Sequence, residues 1–447
     1  MTLKDTTTAA LHALALDRQR KHRVPGLYAG VVRGGGLVWG EGVGAARVTD
    51  LDTAPGPDDQ FLVASNSKTF TAVLVMQLRD AGRLHLDDTL DTHLPEAKHG
   101  GITIRQMLAH VSGMQREPVG DVWETLVSPD AAALVDGFNE AERVHRPHQL
   151  WHYSNLMYSL LGEVVARVEA RDWYTVLRDR ILDPLGMRRT TVGLAGAAVQ
   201  GYYVPPYSDV PVEEPELDVR ALAPCAGLAS TAEDLARWSA FVADPGDVLA
   251  ADTLEEMCQP QTVIDKERWT AAMGLGFFLV RSQNRLYAGH SGGMPGHTSG
   301  VLTDRDSGTG AVVLMNSTSA PDPLSFAVDL AHHVVEHDPV EPEPWRPGTA
   351  VPAELEGVLG LWYSEGAPFV FSVKAGRLEA RAQGQPDHKP PARFERLGDD
   401  LYRTVSGREA GELLRITRDT DGTVRKMNWA TYLVTREPYA FGQWLDR

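Results

Sequence analysis

From Thr69 to Ala81 the apolar residues Phe70, Val73, Leu74 and Leu78 recur at helical spacing, and Gly82 follows as a stop signal. The same period predicts helices over residues 5–23 (Leu11, Leu14, Leu16), over Leu156 to Val168 and over Leu324 to Glu336. A short Thr-capped helix is expected at Ile102 to Leu108. A Ser/Thr-capped helix is expected after Ser230-Thr231, with Leu235 and Trp238 inward. Leu27 to Val48 reads as a β-hairpin turning at Gly34-Gly35-Gly36, and late strands are expected at 274–280, 285–290, 298–303 and 310–315.

Beyond Glu336 the texture changes. Five prolines, at 339, 342, 344, 347 and 352, mark a linker. Six short alternating strands are then expected, at 361–363, 369–373, 377–381, 401–405, 413–417 and 424–432. The expected organisation is an α+β domain over residues 1–337, a Pro-rich linker over 338–353 and a small all-β barrel or sandwich over 354–447. Residues 202–220 hold four prolines and several acids and are expected to form a loop, which in an enzyme could border a site.

Composition narrows the function classes. The net charge of −17 disfavours a nucleic-acid binder or a ligand of anionic membranes. Two cysteines imply no disulfide framework. The N-terminal residues are polar and charged, and no apolar run reaches transmembrane length, so a cytoplasmic location is expected.

Three short stretches carry chemistry. Ser65 stands three residues before Lys68 at a helix start, so its hydroxyl and the lysine amine would share one face. A serine hydroxyl needs such a base to become a nucleophile. Taken alone, an ordinary helix start with Ser65 as N-cap accounts for the same residues. Tyr153-Ser154-Asn155 adds a phenol that can relay a proton and an amide that can orient an acyl group or the lysine. His290-Ser291-Gly292-Gly293 adds a strand edge where backbone can approach a substrate closely.

In this order, Ser-x-x-Lys, Tyr-x-Asn and His-x-Gly resemble the serine hydrolases of the class C β-lactamase and penicillin-binding-protein superfamily. The flanks Val24-Pro25-Gly26, Leu86-Asp87-Asp88, Ile102 to Gly113, Asp183-Pro184-Leu185-Gly186-Met187 and Ala226-Gly227-Leu228 agree. The resemblance implies a β-lactamase/transpeptidase-like domain over roughly 20–337, with an antiparallel sheet flanked by helices. It implies Ser65 as acylated nucleophile, Lys68 as its base and Tyr153 as second proton carrier. Asn155 would hold the substrate amide or Lys68, and the N–H groups of Ser65 and Gly293 would form the oxyanion hole. No metal or cofactor is implied.

His290 stands where true class C β-lactamases carry a lysine that holds a substrate carboxylate. The His-x-Gly branch resembles D-aminopeptidases, D-amino-acid amidases, family VIII esterases and penicillin-binding-protein-type thioesterases. The last of these release and cyclise nonribosomal peptides ending in a D-residue, and carry a C-terminal lipocalin-like barrel. The expectation is therefore macrocyclisation of a peptidyl thioester delivered by a peptidyl carrier protein. D-stereospecific aminopeptidase, amidase or esterase activity is the alternative, with β-lactamase activity behind both. Arg436 and Arg447 are possible contributions from the barrel to the site.

Two decoys and one rival class complete the reading. Gly289-His290-Ser291-Gly292-Gly293 matches the nucleophile elbow, but no helix follows Ser291. His333-Val334-Val335-Glu336-His337 matches an inverted zinc motif at a helix end, without an identified third ligand. A non-catalytic binding protein on the same fold would have no reason to keep Ser65, Lys68 and Tyr153 together.

Overall fold

The computed structural model describes residues 2–99, 101–320, 322–341, 344–386, 389–440 and 442–443. The chain divides into two compact units, residues 1–341 and 342–447.

The strands of the first unit are β1 (Gly26–Arg33), β2 (Gly36–Gly44), β3 (Phe61–Ala64), β4 (Thr191–Val192), β5 (Tyr202–Tyr203), β6 (Val212–Glu213), β7 (Leu228–Ser230), β8 (Thr262–Val263), β9 (Ala271–Met273), β10 (Phe278–Ser282), β11 (Arg285–Met294), β12 (His297–Asp304) and β13 (Thr309–Met315). Among the described residues, eight of them form one antiparallel sheet in the order β2-β1-β13-β12-β11-β10-β9-β8. Its central strands are covered on both faces, so β1 and β13 are buried along their whole length. Side chains alternate between two cores. Tyr28, Val32, Val312 and Leu314 face the helices Ser67–Asp80 and Ala232–Ala243, while Leu27, Ala29, Val31, Ala311 and Val313 face Asp5–Lys21 and Pro323–His337.

The expected short helices have the expected caps. Thr103 and Gln106 close a capping box on Ile104–Leu108, and the Thr231 side chain accepts from Asp234 N–H at the start of Ala232–Ala243. Asp338, the first residue of the expected linker, is buried. Its carboxylate takes the Lys4 N–H at 2.7 Å and its carbonyl the Arg33 guanidinium at 2.7 Å. Residues 202–218 form a loop containing the β5–β6 hairpin. Glu214 pins it to the β11–β12 turn by accepting Gly296 N–H at 2.6 Å.

The second unit is a closed antiparallel barrel of eight strands among the described residues, β14 (Gly360–Ser364), β15 (Ala367–Lys374), β16 (Arg377–Ala382), β17 (Ala392–Gly398), β18 (Leu401–Ser406), β19 (Leu413–Arg418), β20 (Val424–Trp429) and β21 (Tyr432–Thr435). Two differences from the sequence reading have local causes. β17 was not foreseen, because only Ala392 and Phe394 of its seven residues are buried. The single strand expected at 424–432 is two, separated at Ala430, whose φ of 53° is left-handed. The barrel core is filled by Trp362, Phe369, Phe371, Phe394 and Trp429 together with aliphatic side chains. No helix among the described residues is long and apolar enough to cross a membrane.

Candidate active site

Ser65 lies at a sharp turn, not on the helix face that its spacing suggests. β3 ends at Ala64, whose φ of 49° is left-handed, and the helix begins at Ser67 with Asn66 as its N-cap. The turn is tied down around Ser65. Ser67 Oγ donates to Ala64 O at 2.6 Å and accepts Leu228 N–H at 3.0 Å. Asn66 Nδ2 donates to Ser299 Oγ at 2.9 Å, and that hydroxyl donates to Val63 O at 2.8 Å, bracing β12 against β3. Gly292 lets β11 join them, because a Cβ there would stand 2.1 Å from Val63 O.

Lys68 is completely buried. Its Nζ lies 3.1 Å from Ser65 Oγ, 2.8 Å from Asn155 Oδ1 and 2.8 Å from the Cys225 carbonyl. Burial pushes the Cys225 thiol up, so the sulfur stays protonated and its backbone oxygen serves the lysine. Asn155 opens the helix Asn155–Glu169, and its Nδ2 donates to Glu117 Oε1 at 2.7 Å. The other Glu117 oxygen is buried without a partner among the described residues.

Tyr153 is half-buried. Its ring lies under two cations, Lys68 Nζ at 4.8 Å and the Arg116 guanidinium at 5.0 Å from its centroid. The His110 ring stacks on it at 4.3 Å, with Trp151 at 6.0 Å, His290 at 6.1 Å and Phe278 at 6.4 Å around it. These rings form an aromatic wall, of which Trp151, Tyr153 and Phe278 stay partly open to solvent.

His290 lies on β11, buried, stacked on Phe278 at 4.3 Å. Its Nδ1 is 2.5 Å from the Ser291 carbonyl, which only accepts, so Nδ1 carries the proton and Nε2 is a bare acceptor. Burial, with the Lys68 charge second, pushes this histidine down to about 3, so it is neutral at physiological pH. β10 pairs with β11 only as far as Gly289, so the edge from His290 to Met294 has no strand on that side among the described residues. At Gly293 nothing lies within 4 Å of where a Cβ would stand. Backbone donors for a substrate carbonyl belong on such an edge.

Ser65, Lys68, Tyr153 and Asn155 are thus brought together, with His290 facing Tyr153 and Gly293 on the same open edge. Among the described residues no group of three or more histidines, cysteines and acids has metal-site geometry, and His333 and His337 stack on each other at 4.2 Å. Ser291 sits mid-strand in β11, without the helix that an elbow needs. Arg436, expected as a possible site residue, has its donors on the carbonyls of Gly357, Leu359 and Leu361 within the barrel. Arg447 lies outside the described residues. Glu117 and His110 were not foreseen as site residues. His110 stood in a quoted motif, but Glu117 falls in a stretch with no apolar period.

A family model described as Beta-lactamase matches residues 11–335, and one described as a domain of unknown function (DUF7586) matches residues 351–436. Protein flp of Staphylococcus aureus (strain MW2) is 27% identical over 331 residues, covering 72% of this chain. The match spans 65% of that relative's length. A solved D-stereospecific amidohydrolase from a Streptomyces species is 26% identical, covering 73% of this chain and 97% of its own, with a TM-score of 0.62. SurE, solved with D-Leu, is 24% identical, covering 97% of this chain and 100% of its own, with a TM-score of 0.60.

Proposed function

The chain belongs to the β-lactamase family, and on that footing we propose that it is a serine acyl transferase acting on peptides whose reacting acyl residue has the D configuration. The observation that carries this reading is the environment of Lys68. Three oxygens lie within hydrogen-bond distance of its Nζ. Asn155 Oδ1 and the Cys225 carbonyl hold the amine at 2.8 Å each, and the third contact aims it at the Ser65 hydroxyl 3.1 Å away, where a base must stand.

In the proposed cycle Lys68 takes the Ser65 proton and Oγ attacks the acyl carbon. The N–H groups of Ser65 and Gly293 hold the oxyanion. Tyr153 gives its phenolic proton to the leaving group, and the C–O bond of the acyl-enzyme remains. The incoming nucleophile then loses a proton to Tyr153, Ser65 is expelled, and it recovers its proton from Lys68. No metal or cofactor takes part in these steps. The neutral His290 disfavours substrates that present a carboxylate to that strand, as β-lactams do. The aromatic wall suits an apolar or aromatic D side chain.

The donor we favour is a peptidyl thioester on a carrier protein, resolved by the peptide's own amine to give a macrocycle. The eight-stranded barrel that follows the catalytic unit supports this form, since the thioesterases that the motifs resemble carry such a barrel. A second reading, a D-aminopeptidase or D-amide hydrolase, is favoured by the unpartnered oxygen of Glu117. That carboxylate oxygen, one side chain away from Lys68, suits the ammonium of a free α-amino group.

Mass spectrometry after reaction with a fluorophosphonate tests the common core. An adduct on Ser65 that disappears in Ser65→Ala is expected, and its absence overturns the enzyme reading. A peptidyl thioester with a C-terminal D-residue, and a D-amino-acid amide, then separate the two forms. Cyclic product from the first supports the cyclase. Linear product only, with turnover of the amide, supports the hydrolase, and equal rates for the L forms overturn the D-specificity of both.

A further inference from the structure

Tyr153 is held by one residue from three directions. The His110 carbonyl accepts the His152 N–H at 2.8 Å, and His110 Nδ1 accepts the Ser154 N–H at 3.0 Å. The residues on both sides of Tyr153 are therefore bonded to His110, whose ring also stacks on the Tyr153 ring at 4.3 Å and 30°. The backbone of His110 turns to present both acceptors, with a left-handed φ of 56°. Its ring is wholly buried against Tyr158, 4.9 Å away, and Trp151, 6.4 Å away.

The tautomer follows from these bonds. Nδ1 accepts, so it carries no proton, and the ring proton is on Nε2. Protonation at Nδ1 would set two donors against each other and open the bond to Ser154. Burial and then Lys68 hold the imidazole well below its usual range, with His290, Arg116 and His152 acting in the same direction, so the accepting form persists.

We infer that His110 is a positioning residue that fixes the Tyr153 phenol for proton transfer to the leaving group. The inference rests on the acyl-transfer reading and deepens it. The alternative role, ordinary core packing, would support Ser65 and Tyr153 alike. The two differ in which chemistry suffers. A leaving group that departs as a stable anion needs no proton, whereas an amide nitrogen does.

The test compares the p-nitrophenyl ester and the amide of D-phenylalanine, with rates normalised to the Ser65 sites that a fluorophosphonate titrates. His110→Phe keeps a stacking ring and loses the acceptor, and His110→Asn keeps an acceptor and loses the ring. For His110→Phe, amide turnover is expected to fall by roughly 10²-fold, the scale of one general acid. Ester acylation is expected to fall no more than about threefold, with KM unchanged. His110→Asn should recover part of the amide rate. Adding Tyr153→Phe to His110→Phe should lower amide turnover little below that of Tyr153→Phe alone.

Equal losses on ester and amide, or fully additive losses in the double variant, overturn the inference. If His110→Phe does not fold, the ester-to-amide ratio of His110→Asn decides alone. If Ser65 in the unaltered protein takes no fluorophosphonate, it is the acyl-transfer reading that fails.

Discussion

Glu117 Oε1 accepts the Asn155 amide at 2.7 Å, and that bond decides which way round the amide faces Lys68. With Nδ2 committed to the carboxylate, Oδ1 must point at Nζ, where it lies at 2.8 Å. Glu117 therefore acts on Lys68 through Asn155 without touching it. A charge-assisted bond of this kind contributes about 1.5–3 kcal/mol, or roughly 10- to 100-fold in rate if it is needed to hold the lysine. Glu117→Gln is expected to slow acylation of titrated Ser65 by that factor, since glutamine can present either a donor or an acceptor. Asn155→Asp should be worse, because a carboxylate there would draw Nζ into an ion pair and away from Ser65 Oγ. Single-turnover acylation rates check both. A Glu117→Gln rate equal to the parent's would show that the amide keeps its orientation without the carboxylate.

The approach of β11 to the nucleophile turn gives a second prediction. Gly292 faces Val63 O, and an added methyl would stand 2.1 Å from that backbone oxygen, which cannot move aside as a side chain end could. Gly292→Ala should push β11 away from β3 and carry the Gly293 N–H with it. A displacement near 1 Å costs on the order of 10²-fold in rate. The neighbouring Gly293→Ala meets nothing within 4 Å of the new Cβ and should fold normally. Thermal unfolding and acylation rates of the two variants, measured side by side, test this. A Gly292→Ala protein of parental activity would refute the packing reading.

In the barrel, Arg436 follows β21 and ties it to the chain that leads into β14. Its guanidinium lies 3.9 Å from the Trp362 ring centre and donates to the Leu361, Gly357 and Leu359 carbonyls at 3.0, 2.7 and 2.9 Å. Removing it leaves those carbonyls to water and uncovers the indole. Arg436→Ala should cost about 2 kcal/mol, since bonds to a charged donor contribute on that scale. For a unit of this size that is a fall of roughly 8 °C or more in its transition. Arg436→Lys should recover little, because an ammonium cannot span three carbonyls and stack. Calorimetry of the full chain reports the shift, and an unchanged barrel transition would contradict it.

How far the sequence went depended on the range of the forces involved. The helices Ser67–Asp80, Asn155–Glu169 and Pro323–His337 announced themselves by period, because each buries one continuous face. The relation of Ser65 to Lys68 was legible as a spacing, but not its geometry. The left-handed φ at Ala64 that puts Ser65 in a turn comes from packing of β3 against β7 and β12. Asn155 could be read from its motif, whereas Glu117 could not. Its stretch has no period, and its partner is 38 residues away. His110 was visible as part of a motif but not as a clamp, since its bonds run to residues 152 and 154. In the barrel β17 escaped notice because five of its seven side chains are not buried.

The buried histidines set a pH dependence of stability. Burial pushes His290 down to about 3 and His297 down to about 4, and holds His110 well below its usual range. In the unfolded chain each would titrate near 6.5. Between those values the unfolded state binds more protons than the folded one, so stability rises with pH. It is accordingly lost as pH falls from about 6.5, and for His297 the loss is complete near 4. His297 isolates the effect, because it stands at the start of β12, edge-on to Phe61 at 5.9 Å, outside the Ser65–Lys68 cluster. The linkage relation gives about 2 kcal/mol lost through this one group between pH 6.5 and pH 5. His297→Gln removes the titration whatever it does to stability at neutral pH. Urea unfolding of the two proteins at both pH values should therefore show the variant losing about 2 kcal/mol less than the parent over that interval. Equal losses would mean that His297 is protonated in the folded protein as readily as in the unfolded chain.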